Sequence, residues 1–227
     1  MFKQSALFKP RRLFKVSALL KPSTVKKSTG TAALMSLCLC TFIPLHANAQ
    51  TLKTIDNTKY PNRIRVAIRA NNNPSGKILY VQTVSFKSYC KDVLPNEWMP
   101  GWNQNALRAG AIAVKMFGWY HTLHPVTESG KTFDVDNTTN FQEYKYKTAT
   151  PATNRAVDAT WNLVYVPANK EIKKLEYRAG IPNNPNWSFV GADLMSQWGS
   201  QYWGTTGKKK YLPILGLFYP KHNSQTV

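Results

Sequence analysis

The sequence predicts a single α+β domain in which one long helix packs on mostly antiparallel strands. Residues 63–69 and 78–86 alternate between polar and apolar side chains, as half-buried strands do. Residues 104–123 are rich in alanine and repeat apolar side chains every three or four positions, as a helix does. About 178 residues follow the first 49, and that length is enough for one domain with its own core.

Short-range signals predict the elements in the first half of this domain. Residues 50–61 read as a polar entry segment, and the Asn/Pro/Gly-rich stretch 71–76 reads as a turn between the two strands. Pro95 and Pro100-Gly101 break the chain after the second strand, and Asn103 is placed to cap the long helix. The helix is expected to bury one face, formed by Leu107, Gly110, Val114, Phe117 and His121.

The second half of the domain gives weaker signals. Polar turns are predicted at 127–130 and 136–139, and a shorter helix at 152–160. Two apolar runs are predicted to form a hairpin of strands, and a loop follows them. Helical or mixed structure is predicted for two later runs. The hairpin strands are 163–166 and 172–177, the loop is 183–186, and the two later runs are 195–203 and 211–219.

The first 49 residues have the three parts of a secretory signal peptide. They hold eight Lys or Arg and no acid, then an apolar run at 32–45, then Ala47-Asn48-Ala49. The apolar run is shorter than the roughly 20 residues that span a bilayer. We therefore expect cleavage after Ala49, export to the periplasm, cell wall or extracellular space, and no transmembrane segment in the mature chain.

Removal of this leader leaves a strongly basic chain. The whole sequence has 30 basic and 11 acidic residues, so the mature part has 22 against 11, a net charge of +11. Such a charge favours a polyanionic partner. An anionic wall polymer suits an exported protein better than nucleic acid, which is an unlikely partner. Cys90 is the only cysteine of the mature part and reads as a small core residue.

Glu97 is the acid with the most unusual surroundings. It lies among Pro95, Trp98 and other apolar neighbours in a chain that has few acids. A carboxyl in apolar surroundings suits a general acid, although a surface or capping glutamate is the alternative from the residues alone.

Four further residues near Glu97 in the sequence are candidates for substrate binding. Arg108 and Lys115 are seven apart and share a helix face, which could hold a sugar-borne carboxylate or be a solvated edge. Trp98 and Trp102 flank Glu97 in a Pro/Gly-rich loop, and aromatic faces stack well on sugar rings.

No metal or cofactor is predicted. His121 and His124 lie near a helix end, but no cysteine or acid nearby completes a zinc set. The sequence has no P-loop, no G-x-S-x-G and no dinucleotide-binding glycine motif.

Five stretches, in order, resemble the SpoIID/LytB (stage II sporulation protein D) family. That family has a tyrosine-led strand, a V-x-x-x-E catalytic turn and a W-x-x-E-A-L-K-A-Q-A-V-A-A-R-T helix. It then has Gln-x-Tyr, A-V-x-x-T, and an S-Q-x-G-A stretch followed by I-L-x-x-Y-Y-P. The matching stretches here are 84–98, 102–115, 141–144, 156–160, and 195–200 with 214–220.

The resemblance implies a lytic transglycosylase that cleaves the bond between N-acetylmuramic acid and N-acetylglucosamine in peptidoglycan stripped of its stem peptides. It places the catalytic glutamate on Glu97, with Arg108 and Lys115 holding substrate carboxylates. It also implies that Gln142, Tyr144, Ser196 and Gln197 belong to the site, and that a cell-wall amidase is a possible partner.

Several positions depart from the family pattern. Lys115, Arg108 and Gly110 stand where the family has Arg, Lys and Gln, and 190–194 replaces a histidine-containing G-H-G-V-G. A non-catalytic glycan-binding or amidase-assisting protein is therefore the alternative to an enzyme. The predicted organisation is a signal peptide at 1–49, an entry segment and first strand at 50–79, a SpoIID-like domain at 80–222 and a tail at 223–227.

Overall fold

The computed structural model of the protein describes residues 51–227, so the predicted signal peptide lies outside the described residues. The strands are β1 (Arg63–Arg69), β2 (Ile78–Ser85), β3 (Val126–Glu128), β4 (Lys131–Phe133), β5 (Val135–Asp136), β6 (Leu163–Pro167), β7 (Glu176–Arg178), β8 (Leu194–Ser196) and β9 (His222–Thr226). The α-helices are α1 (Phe86–Glu97), α2 (Gln104–Leu123), α3 (Pro151–Ala159), α4 (Gln197–Thr205) and α5 (Tyr211–Phe218). Single 3-10 turns lie at Ala70–Asn72 and Trp187–Phe189.

Helix α2 is the centre of the core. It has the predicted bounds, and the Asn103 side chain accepts a hydrogen bond from the backbone N–H of Asn105, so the predicted cap is confirmed. From Ala106 to Trp119 every residue except Arg108 is buried. The prediction of one buried face was too narrow, because α1, α3, α4 and α5 all pack around α2.

The main sheet has the strand order β2-β1-β5, with β1 antiparallel to β2 and parallel to β5. The predicted turn at 71–76 connects β1 and β2, and both Asn71 and Asn72 have positive φ values, which asparagine tolerates better than most residues. Ile64 and Val66 turn one face of the sheet toward the core, as the alternation predicted. The α+β class with mostly antiparallel strands is confirmed.

The later strands pair differently from the prediction. The predicted hairpin of 163–166 with 172–177 is wrong, since β6 pairs with β9 at the end of the chain and β7 pairs in parallel with β8. The predicted turn at 127–130 is the tip of a hairpin of β3 and β4, with Ser129 and Gly130 at positive φ. The short helix α3 and the two later helices α4 and α5 agree with the prediction within a few residues.

Candidate active site

Glu97 is the last residue of α1 and its side chain is half-buried. Its carboxylate accepts two hydrogen bonds from distant segments. The backbone N–H of Glu143 donates to Oε1 at 2.7 Å, and the side-chain Nε2 of Gln197 donates to Oε2 at 3.1 Å. The same Nε2 lies 2.7 Å from the backbone carbonyl oxygen of Glu97. Three parts of the chain therefore meet at one carboxylate.

Glu97 lies on a helix rather than in the predicted loop. Pro95 was expected to break the chain, and the family pattern implies a strand and turn here, but Pro95 lies inside the last turn of α1. Helix α1 ends immediately after Glu97, where the backbone N–H of Trp98 donates to the carbonyl of Leu94 at 2.8 Å. A helix end fixes the carboxylate more firmly than a free loop would.

Gln197 reaches Glu97 because it is the first residue of α4. Ser196 caps that helix, and its buried Oγ accepts from the backbone N–H of Gly199 at 2.8 Å. Gly180 has a φ of +74° and packs so closely on Ser196 that a side chain there would collide with Ser196 Oγ and with Asn186 Oδ1. Ser196 thus supports the site as a helix cap and does not line it, contrary to the expectation.

Trp98 belongs to the core and is not placed to stack on a ligand. Its side chain has no exposed surface, and its indole N–H donates to Ser200 Oγ at 3.0 Å. Its ring lies against Gly110, where a Cβ atom would come within 2.6 Å of Trp98 Cδ2. The family's glutamine at this position could not fit beneath the ring, so the packing of Trp98 explains the departure at Gly110.

Lys115 and Arg108, both predicted to hold substrate carboxylates, have different surroundings in the structure. Lys115 is 1% exposed, and its ammonium group donates to the carbonyls of Thr160, Trp161 and Leu163 at 2.5–2.7 Å. Burial lowers the pKa of Lys115 to about 7, although three carbonyl acceptors match the three N–H groups of the charged form. The expectation that Lys115 holds a substrate carboxylate is therefore wrong.

Arg108 differs from Lys115 although both are on α2. It is half-buried, and its guanidinium lies over the ring of Tyr211, 5.9 Å from the ring centre. Arg108 thus contacts the first residue of α5, and its role in substrate binding stays a prediction.

Gln142 and Tyr144 follow the same division. Gln142 is fully buried, accepts from the Tyr89 hydroxyl at 2.8 Å and donates to the Tyr177 hydroxyl at 2.9 Å, so it does not line a site. Tyr144 stacks on Tyr89 with ring centres 5.5 Å apart and also reaches a surface cleft. Burial raises the pKa of Tyr144 to about 12, and a hydrogen bond with the Gln82 side chain acts in the opposite direction.

Two hollows adjoin the segments that hold Glu97. The larger, of about 290 Å³, is lined by Ile68, Asn72, Tyr80, Gln82, Asn137, Tyr144, Lys145 and Tyr146; we call it the Tyr80 cleft. The smaller, of about 120 Å³, includes Trp198, Gln201 and Tyr202. Glu143 directly precedes the cleft residue Tyr144, and Gln197 directly precedes Trp198.

Trp102 contacts Trp198, one of the residues that line the second hollow. Its ring is half-buried and packs on Trp198 with ring centres 4.6 Å apart. Trp198 follows Gln197, so this aromatic pair is close in the chain to the side chain that holds Glu97. The role of Trp102 as a ligand contact stays a prediction, whereas Trp98 is fully buried and has no ring face open to a ligand.

Sequence reasoning missed the backbone of Glu143 and the aromatic lining of the Tyr80 cleft. Glu143 stands between the two residues of the Gln-x-Tyr motif, and a backbone donor leaves no side-chain signal. The signal for the cleft was Tyr80, which follows Leu79 in the sequence of β2; both side chains are large and apolar but more than half exposed.

Part of the chain matches the model of a known protein family. The model of the stage II sporulation protein family, SpoIID, matches residues 74–166, which include Glu97, all of α2 and the Tyr80 cleft except Ile68 and Asn72. This segment belongs to the SpoIID family. The resemblance deduced from the sequence is thereby confirmed. Gln197 and Ser196 lie outside the matched segment.

One relative of the SpoIID segment is an uncharacterised protein of Brachyspira hyodysenteriae (strain ATCC 49526 / WA1). It is 39% identical over 70 residues, which are 31% of this chain and 18% of that protein. The chain thus matches less than a fifth of its relative's length.

Two further findings concern residues 51–227. None of their helices is both long and apolar enough to cross a bilayer. Cys90 is a free, fully buried thiol, and burial raises its pKa to about 12, so its interpretation as a core residue is confirmed.

Proposed function

We propose that the protein is an exported lytic transglycosylase that cleaves peptidoglycan glycan strands, with Glu97 as the catalytic acid and base. The observation that carries the proposal is the position of Glu97. The family's catalytic glutamate falls on it, and its half-buried carboxylate is held by Gln197 and by the backbone of Glu143, each of which is next in sequence to a residue that lines a hollow. The leader at 1–49 and the basic mature chain support export and a wall partner, and a cell-wall amidase remains a possible second partner.

One carboxyl group suffices for this reaction. The protonated Glu97 carboxyl gives its proton to the oxygen that joins N-acetylmuramic acid to N-acetylglucosamine, and the bond from that oxygen to C1 of the muramic residue breaks. The C6 hydroxyl of the same muramic residue then attacks C1, and the Glu97 carboxylate takes its proton. An anhydro ring closes, water is not consumed, and Glu97 returns to its protonated form.

The surroundings of Glu97 fit a mechanism with one carboxylate. Glu143 touches Glu97 through its backbone, but its own carboxylate lies 2.7 Å from the Lys145 ammonium. Hydrolysis by the usual pair of carboxylates needs a second acid free to activate water or to act as a nucleophile. Gln197 acts as a positioning residue, since it binds both the side chain and the backbone carbonyl of Glu97.

The test is product analysis on denuded glycan strands. We expect the protein to release anhydro-muramyl products, and Glu97→Gln to lower their rate by about 100-fold or more. Glu171→Gln, which removes an acid from a surface ion pair with Lys173, is the matched control and should act like the unaltered protein. Absence of anhydro products from the unaltered protein would overturn the proposal.

One observation favours a second candidate, a glycan-binding or amidase-assisting protein without turnover. Two hydrogen bonds to the Glu97 carboxylate come from N–H donors of the protein, so the carboxylate is already held within the domain without a substrate. This candidate predicts retention on purified cell wall that survives Glu97→Gln, with no new products. Loss of retention in that variant would count against it.

A further inference from the structure

The Tyr80 cleft lies on a sheet face that is core at one end and open at the other. In the register of β1 and β2, Ile64 lies opposite Val84, Val66 opposite Gln82 and Ile68 opposite Tyr80, so these pairs share one face. Ile64 and Val66 are buried in the main core. Toward the turn, Ile68, Gln82 and Tyr80 of the same face line the cleft.

Two aromatic rings at this cleft are exposed to an unusual degree. Tyr80 is 53% exposed and Tyr146 is 67% exposed, whereas Tyr144, at the third position, is buried against Tyr89. Tyr80 belongs to β2 and Tyr146 to the segment 144–146, which is packed on the core through Tyr144. Exposed aromatic rings in a concave, ordered site are typical of ligand contacts.

The remaining lining of the cleft is polar but almost uncharged. It offers the amides of Asn72, Gln82 and Asn137, of which Asn72 and Asn137 bond to each other. Lys145 is the one ionic side chain of the lining, and it is paired with Glu143. Phenol rings beside amides suit the flat C–H faces, hydroxyls and acetamido groups of an N-acetylated sugar. Among the lining residues a phosphate or sulfate group would find no unpaired cation. The Lys147 ammonium, outside the lining, lies over the Tyr146 ring 5.1 Å from its centre and so occupies one face of that ring.

The cleft is connected to Glu97 through three consecutive residues. Glu143 donates its N–H to the Glu97 carboxylate, Tyr144 lines the cleft, and Lys145 joins the cleft wall back to Glu143. We propose that the Tyr80 cleft is a subsite for N-acetylated sugar rings of the strand that Glu97 acts on, with Tyr80 and Tyr146 as its stacking residues. This inference rests on the proposed function for the identity of the strand.

The test measures binding and is separate from turnover. All proteins carry Glu97→Gln in the full chain, and isothermal titration calorimetry measures the Kd for tetra-N-acetylchitotetraose and for denuded glycan strands. We expect Tyr80→Ala and Tyr146→Ala each to raise Kd about tenfold, while Tyr80→Phe keeps most of the affinity because the ring remains. Leu79→Ala is the matched control, since Leu79 is 54% exposed on the same strand but does not line the cleft.

The outcomes separate the two proposals. Binding by the Tyr80→Ala and Tyr146→Ala variants that equals binding by Leu79→Ala would overturn the subsite, even if the unaltered protein makes anhydro products. Binding that depends on both tyrosines supports the subsite, even if the unaltered protein makes no anhydro products and the proposed catalysis fails.

Discussion

Around the middle of α2 the polar side chains of Lys115 and Gln142 are buried and bond to groups of the domain, whereas at the end of α1 the half-buried carboxylate of Glu97 is held by Glu143 and Gln197. Lys115 uses all three donors on backbone carbonyls, and Gln142 uses both ends of its amide on tyrosine hydroxyls. Glu97 is half-buried and is positioned by Gln197. Both regions carry residues of the same family motifs.

This comparison shows that a residue of a family motif does not have to be a ligand-binding residue. A buried polar group without partners costs about 1–3 kcal/mol, so a fold keeps such residues and their partners together. Lys115, Gln142 and Ser196 satisfy this requirement inside the domain. Glu97 and the exposed tyrosines of the Tyr80 cleft are the residues to which we assign chemistry and recognition in the two proposals.

The largest effect is expected from the support beneath Gln197. Gly180→Ala should lower the free energy of unfolding by about 3 kcal/mol, because a left-handed alanine costs about 1 kcal/mol and the collision with Ser196 and Asn186 adds about 2 kcal/mol. Gly191→Ala is the matched control, with a φ of +76° but open space around the new Cβ, and should cost about 1 kcal/mol. Equal losses in urea unfolding would show that Gly180 does not hold Ser196 in place.

The interior region is tested by exchanging its buried cation. Lys115→Met should lower the free energy of unfolding by about 2–3 kcal/mol, since carbonyls at the end of α3 lose a donor. Arg108→Met, on the same helix but half-buried, should cost less than about 1 kcal/mol. A Lys115→Met protein that is fully stable but no longer binds glycan would return Lys115 to the site and break the comparison.

The surface region is tested at Gln197. Gln197→Ala removes the side-chain donor to Glu97 and should lower the rate of anhydro-product formation about tenfold, since misplaced catalytic groups lose activity without being removed. We expect the KM for glycan strands to change little, because Gln197 is 3% exposed and holds Glu97 rather than substrate. A rise in KM with an unchanged kcat would instead identify Gln197 as a substrate ligand.

A further expected effect is a pH dependence of the stability that arises from Lys115. Its folded pKa is about 7 and its unfolded value is near 10.5, so between these values the unfolded chain binds the extra proton. Stability should therefore rise with pH across this window, by at most about 1.4 kcal/mol per pH unit, and be independent of this group below about pH 7. The measure is the difference between the unaltered protein and Lys115→Met in urea unfolding at pH 7, 8 and 9. A difference that stays constant would show that the three carbonyls keep Lys115 charged.

Features that depend on neighbouring residues could be predicted from the sequence alone. The bounds of α2, its Asn103 cap, the strands β1 and β2 and the candidate Glu97 were all visible in local patterns. Periodicity and capping operate within a few residues, and the ordered motif pieces identified the SpoIID segment.

The contacts between distant segments became visible only in the tertiary structure. Strand β6 pairs with β9, and Gln197 donates a hydrogen bond to Glu97, which is 100 residues earlier in the chain. On helix α2, Lys115 is buried whereas Arg108 is half-buried. Strand pairing and burial depend on contacts between residues far apart in the sequence, and local patterns contain no record of which surfaces meet. Spacing therefore treated Lys115 and Arg108 alike, and only the packing of α3 against α2 assigned Lys115 to the core.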